Sequence, residues 1–171
     1  MEPDFLLIQK IKGGKSDKNE ASERLVKKYY SSIYQYCFLH IHDCAYAEDF
    51  TQETFLRFFQ SLGSYREYGK TKSYLYCIAG NIIKNYYSKK KEVLLEQIPE
   101  EHENSMDGVE IRLDIEQAVD DLPEELKEIT ILFFFQGLKQ KEIAKVLNIK
   151  LSLVKYRISR AKKILSEYLG E

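Results

Sequence analysis

The 171-residue sequence has no tryptophan and only three cysteines, three prolines and three histidines. Each scarcity excludes something. Cys37, Cys44 and Cys77 are too few to frame a disulfide-stapled fold, and an odd, sparse set suits a reducing compartment. With so few histidines, no phosphate-cradling glycine loop and no nucleophile–base pattern, nothing is at hand to build a catalytic centre. No enzyme is expected, and no cofactor. Long apolar runs are missing too: no stretch approaches the roughly 18 to 20 residues of a membrane span. The greasiest segment, "YLYCIAGNIIKNYYSKKKE" from Tyr74, is interrupted by Asn81, Lys84 and Asn85. The opening "MEPDFLLIQKIKGGK" carries acids early and only a short apolar cluster, unlike a secretory leader. The expectation is a cytoplasmic protein with no membrane insertion.

What is present is 44% apolar and 31% charged residues, enough core for one ordinary domain or two small ones. Net charge is −1, which conceals strong segregation. Lys70 to Lys91 holds six lysines and no acid, Glu92 to Glu125 thirteen acids and one arginine, and Lys139 to Lys163 nine basic residues and one acid. Two basic blocks flanking an acidic middle can each attract phosphate, because the local field outweighs the total. Solvated helix faces are the plain alternative.

The pattern predicts an all-α chain of two small helical domains. Few prolines interrupt it, and no strand-like alternation persists. A short helix over Phe5–Lys12 stops at Gly13-Gly14. A second starts near Ser16 to Glu20, with the stripe Ala21, Leu25, Tyr29, Ile33 and Cys37 at four-residue spacing. After a polar turn from His42 to Ala45, a third runs Tyr46–Leu62 with Ala47, Phe50, Thr54 and Phe58 on one face. A loop, Ser64 to Lys72, leads to a fourth helix over Ser73–Lys91, where Tyr76, Ile78, Ile82 and Ile83 are expected in the core. Periodicity fades from Val93 to Gly108 and resumes with Ile111, Ile115, Ala118 and Leu122. Asp121 and Glu124 have the spacing of a capping box around Pro123. That helix should end at Gly137, followed by helices at Gln140–Leu147 and Ser152–Leu169. The boundaries are a first domain at 1–92, an acidic linker at 93–109 and a second domain at 110–171.

The most specific local pattern is "GLKQKEIAKVLNIKLSLVKYRISRAKK", Gly137 to Lys163. A short helix, a tight turn at Leu147-Asn148-Ile149 and a long basic helix read as a helix-turn-helix. Asn148 stands where the chain must bend sharply, and Asn tolerates the left-handed conformation better than most non-glycine residues. Ile143, Val146, Leu147, Ile149, Val154, Ile158 and Ala161 form the seam. Lys155, Tyr156, Ser159 and Arg160 line the opposite side, a row of donors fit for base edges in a major groove. Lys150, Ser152 and Arg157 are placed for phosphates. A three-helix bundle with a merely basic surface is the alternative. In "YAEDFTQETFLRFF", Asp49, Gln52 and Glu53 share a helix face at i, i+3 and i+4. By spacing alone this is an ordinary wet face. Cys37, His40, His42 and Cys44 offer zinc-ligand chemistry within eight residues. They lack paired C-x-x-C spacing, and Cys37 falls on the apolar stripe, so packing is expected.

"AEDFTQETFLRFF", "SYLYCIAGNIIKNYYSKKK", "LPEELKEITILFFFQGLKQKEIAKVLNI" and "VKYRISRAKKIL" together resemble regions 2.2, 2.3 to 2.4, 4.1 and 4.2 of bacterial RNA polymerase sigma factors, in order and across nearly the whole chain. The match is to the extracytoplasmic-function (ECF) group, which keeps domains two and four only. The resemblance implies a subunit that binds core RNA polymerase, at the β′ clamp helices and the β flap, and directs promoter recognition and initiation. Asp49, Gln52 and Glu53 match clamp-binding positions. The loop Arg66–Lys72 and the following helix would capture the −10 promoter element as its strands part, with Asn81 and Asn85 near a base-recognition pocket. Tyr65, Tyr68 and Tyr74 are candidate strand contacts, and Arg66, Lys70, Lys72, Lys84 and Lys89 to Lys91 candidate backbone contacts. The last helix would enter the −35 major groove. Family behaviour also implies an anti-sigma factor as partner. Tyr74 stands where the family usually has tryptophan. Lys139 and Lys150 replace common capping serines, and Ser152 is expected to take over the second cap. The rival readings are a stand-alone helix-turn-helix regulator and a metal- or redox-sensing module.

Overall fold

Residues 2–14, 17–66, 70–96 and 116–169 are described in the structure, a computed structural model. Among them every regular element is helical. The chain divides into two compact units, Met1–Ile83 and Lys84–Glu171.

The first unit opens with α1, Asp4–Lys12, which has an acid in its first turn and Lys10 and Lys12 in its last, matching the helix dipole. Leu7, Ile8 and Ile11 are its buried side, and Asp4 ties it to α2 by accepting from Tyr29 Oη at 2.5 Å. Helix α2, Lys18–Ile41, buries the whole expected stripe from Ala21 to Cys37. A four-residue repeat overshoots the 3.6-residue turn by about 40° a step. The buried face therefore swings, and Tyr36, Leu39 and His40 join it near the C-terminus. His42 ends the helix in the left-handed region at φ 55.

Helix α3 spans Cys44–Ser61 and starts earlier than the expected turn to Ala45, because Asp43 caps it: Tyr46 N–H donates to Asp43 Oδ1 at 3.0 Å. Its buried residues are Ala47, Thr51, Thr54, Phe55 and Phe58, while Phe50 is only half-buried. The two buried hydroxyls donate to their own helix, Thr51 to Ala47 O at 2.7 Å and Thr54 to Phe50 O at 2.6 Å.

Helix α4, Thr71–Glu96, outruns the expected Ser73–Lys91 at both ends. Tyr76, Ile82 and Ile83 are buried as expected and Ile78 is half-buried. Tyr76 meets Tyr36 edge-to-face at 5.2 Å, both fully buried. A Cβ on Gly80 would sit 3.1 Å from Tyr36 Oη, so the missing side chain is what lets these helices approach. The division between units falls inside α4, and α4 continues past residue 92. The rest of the expected linker, with Pro99, Gly108, and then Ile111 and Ile115, lies outside the described residues.

In the second unit, α5 is described over 116–120, and Ala118, Val119 and Leu122 are buried. The expected Asp121–Glu124 capping box does not form. Pro123 takes the cap position of α6, Glu124–Thr130, without a side-chain cap, so Glu124 is the first helical residue, too early to reach back. The dipole of α6 is instead met by Glu124 and Glu125 in its first turn. A wider π turn, Ile131–Phe135, follows, closed by Gln136 N–H to Ile131 O at 3.0 Å. Gly137, at φ 63, lets Leu138 N–H return to Leu132 O at 3.0 Å. Helices α7, Gln140–Val146, and α8, Leu151–Leu169, complete the unit. Leu126 and Ala161 are fully buried between α6 and α8, and Ile143 and Val154 between α7 and α8. Each such Leu, Ile or Val contributes about 1.5–3 kcal/mol. Among the described residues no helix is long and apolar enough to cross a membrane.

Candidate functional site

Three surfaces carry the residues singled out by sequence. On α3, Asp49 and Gln52 are exposed, while Glu53 is half-buried and accepts from Arg57 Nε at 2.6 Å. The face includes a residue that sequence reasoning passed over. Leu56 is 53% exposed, and its i+7 spacing from Asp49 sets it beside Gln52 and Glu53. An exposed apolar side chain in a polar rim has the make-up of a protein contact. The signal was the i, i+3, i+4, i+7 spacing itself, read only for its polar members.

The second surface joins the loop after α3 to α4. Tyr65 and Tyr74 are stacked on each other, rings 4.8 Å apart and 17° from parallel. Both lean on the buried Phe58, at 5.6 Å and 6.0 Å. Each therefore has one ring face covered by the other; they form a two-ring stack rather than separate platforms. The Lys12 ammonium donates to the Tyr65 carbonyl, and Tyr65 N–H donates to Ser61 O at 3.0 Å, so both α1 and α3 fix the loop entry. Arg66 and Lys70 are exposed and Lys72 is half-buried. Tyr68 lies outside the described residues. Further along α4, Asn81, Lys84 and Asn85 share one exposed face at i, i+3 and i+4, followed by exposed Lys89, Lys90 and Lys91.

The third surface is the α7–turn–α8 motif. Asn148 adopts φ 53, and Ile149 N–H donates to Ala144 O at 3.0 Å, closing the tight turn. The missing serine before α7 is replaced from within the helix: Glu142 Oε2 accepts from Lys139 N–H at 2.7 Å. Ser152 does not cap α8. The Lys150 carbonyl receives Leu153 N–H and Val154 N–H, at 3.0 and 3.1 Å, which makes Lys150 the cap position and puts Ser152 inside the first turn. Lys150, Ser152, Lys155, Ser159 and Arg160 are exposed, as is Tyr156 at 60%. Ile143, Val154, Ile158 and Ala161 are buried beneath them, and Val146, Leu147 and Ile149 half-buried. Arg157 is half-buried and turned to α6, with Nη2 2.7 Å from Glu125 Oε2.

The cysteine–histidine group does not converge. Cys37 and His40 are buried, His42 is half-buried and Cys44 exposed, and among the described residues no cluster of metal-ligating side chains forms. Burial pushes the Cys37 thiol up to about 12, against a hydrogen bond with Thr51 that lowers it. It is an inert, packed thiol.

Residues 25–93 match the family model described as Sigma-70 region 2, and residues 112–165 match Sigma-70, region 4. The RNA polymerase sigma-H factor of Pseudomonas aeruginosa is 29% identical, over 98% of this chain and 94% of that protein. The ECF RNA polymerase sigma factor SigW of Bacillus subtilis is 27% identical, over 98% and 99%. The chain belongs to the sigma-70 family, in its ECF group. Another relative of this sigma factor, the ECF factor SigE of Mycolicibacterium smegmatis, is 28% identical over 87% of this chain, which spans 62% of that longer protein. In fold, the sigma factor is similar to CnrH, solved in complex with the cytosolic domain of CnrY, with a TM-score of 0.75, 21% identity and coverage of 99% and 98% of the two chains. It is also similar to the Bartonella quintana sigma factor RpoE, solved with the anti-sigma factor NepR, with a TM-score of 0.70, 20% identity and coverage of 86% and 96%.

Proposed function

We propose that this ECF sigma factor, which binds core RNA polymerase and directs promoter recognition and initiation, divides the work among the three surfaces. A region 2 domain at 1–92 docks on the β′ clamp helices through Asp49, Gln52 and Glu53, with Leu56 as the apolar centre. The same domain holds the −10 element as it opens, using Arg66, Lys70, Lys72, the Tyr65–Tyr74 stack, Asn81, Lys84 and Asn85. A segment at 93–109, rich in acids, links it to a region 4 domain at 110–171. That domain contacts the β flap and sets α8 in the −35 major groove, with Lys155, Tyr156, Ser159 and Arg160 toward base edges and Lys150, Ser152 and Arg157 toward phosphates. The protein acts in the cytoplasm as a non-catalytic specificity subunit. The relatives solved in complexes support an anti-sigma factor as a further partner.

The observation that carries the reading is the exposed polar row of α8, with its two cations, over buried Ile143, Val154, Ile158 and Ala161, inside a stretch matched to region 4. An exposed row of donors on a helix held rigidly from behind is what groove recognition requires. Opening a duplex costs a few kcal/mol per step. Stacking exposed bases on aromatic rings returns about 1–3 kcal/mol each, which is the use of the tyrosines around α4, while its lysines draw the backbone in.

Gel filtration of the full chain with core polymerase tests it. A one-to-one complex is expected, and the double variant Asp49→Lys, Glu53→Lys should lose it while its circular dichroism stays helical. A stand-alone duplex-binding regulator predicts no complex even for the unaltered chain.

A further inference from the structure

We propose that Glu125 is a built-in competitor for the DNA backbone: its carboxylate holds Arg157 and Arg160 in the unbound chain and has to yield them when duplex DNA arrives. This rests on the reading that α8 docks on duplex. Glu125 stands in the first turn of α6, far from α8 in sequence, and uses its two oxygens on two different guanidinium groups. Oε2 lies 2.7 Å from Arg157 Nη2, and Oε1 lies 4.0 Å from Arg160 Nη1. The side chains are graded in exposure: 21% for Arg157, 49% for Glu125 and 50% for Arg160. Arg157 is thus the held partner and Arg160 the loosely held one, and the carboxylate itself sits where an approaching phosphate can displace it.

The consequence is selective. Binding that relies on phosphates alone draws its strength from cations that replace condensed counterions. Here the phosphate-facing Arg157, and more loosely Arg160, have an intramolecular partner, which is always at hand and does not dilute. Of the base-edge row only Arg160 meets Glu125, at the looser 4.0 Å, while the phosphate-facing Arg157 is held at 2.7 Å, so base-edge contacts are taxed less. Glu125 therefore lowers affinity for arbitrary duplex more than affinity for a matched site, and raises the ratio between them.

The test uses the full chain, a fluorescent duplex of random sequence and anisotropy titrations over a series of NaCl concentrations starting at low salt. Glu125→Gln and Glu125→Ala are compared with the unaltered chain, and each is repeated in an Arg157→Ala, Arg160→Ala background, with thermal melting to verify folding. Removing the acid should tighten binding about 5- to 10-fold at low salt and steepen the log K against log[NaCl] slope by about 1 for each phosphate newly neutralised. The gain should vanish when both arginines are absent. Unchanged or weaker binding with the same slope, in folded variants, makes Glu125 a structural brace only and overturns the proposal. A gain that persists without the arginines also overturns it, since the acid would then act by its general field. If the arginine double variant binds duplex as the unaltered chain does, the docking of α8 itself is wrong, a failure distinct from that of Glu125.

Discussion

The two units differ in what their cores are made of. Among the described residues, the first unit buries Tyr29, Tyr36, Phe55, Phe58 and Tyr76, whereas the buried apolar residues of the second are Leu, Ile, Val and Ala. In the first, the aromatic core continues to the surface: Phe58 is buried, and the Tyr65–Tyr74 stack rests on it. Core and the surface proposed to hold the opened strand are there one object. In the second, Tyr156 and Phe134 stand outside an aliphatic core. The row proposed to face DNA is made of exposed side chains that are not part of that core. A surface that holds an opened strand needs rigid aromatic faces, and anchoring them in the core supplies the rigidity. A surface that reads intact duplex needs exchangeable polar side chains on a stiff helix.

The comparison breaks most easily at Phe58. Phe58→Ala should cost about 3–5 kcal/mol, read as a lowered urea midpoint, and should also abolish strand opening in any molecules that remain folded. Normal opening by a folded Phe58→Ala variant would separate core from surface and undo the contrast. In the second unit, Arg160→Ala should weaken duplex binding by about 1–3 kcal/mol and reduce the salt slope by about 1. Its unfolding free energy should stay within about 0.5 kcal/mol of the unaltered chain. A comparable loss of stability there would mean that recognition and support are coupled in both units.

An effect confined to high pH concerns Cys37. Its thiol is raised from 9.0 to about 12 by burial. Below about pH 9 the thiol is protonated in both folded and unfolded chains, and its contribution is complete. As pH rises further, the unfolded thiol ionises while the folded one does not, and stability falls by at most about 1.4 kcal/mol per pH unit. Urea melts at increasing pH should show the unaltered chain losing its advantage over Cys37→Ala; a constant gap would contradict the burial of this thiol.

Much of this architecture was legible in the chain, for physical reasons that can be named. The stripe from Ala21 to Cys37 and the seam from Ile143 to Ala161 are periodic patterns whose buried members sit near one another in sequence. Asn148 declared its turn because few residues accept its left-handed backbone. What escaped was of two kinds. Local ends shifted where competing caps exist: Asp43 moved the start of α3, Pro123 forestalled the Asp121 cap, and the Lys150 carbonyl left Ser152 inside α8. Contacts across the fold left no periodic trace. Neither the Tyr65–Tyr74 stack nor the Glu125–Arg157 pair, 32 residues apart, is announced by spacing. The π turn at Ile131–Phe135 was hidden for a related reason, since a single wide turn alters the helical phase by less than the pattern of an apolar run can register.

The most direct measurement is run-off transcription on linear genomic fragments with purified core polymerase, read together with permanganate reactivity of unpaired thymines. With the chain present, discrete transcripts should appear, each preceded by reactive thymines at its −10 element, and core polymerase alone should give neither. If core polymerase behaves identically with and without the chain on every fragment, two helical units dividing strand capture from duplex reading is not what this molecule does.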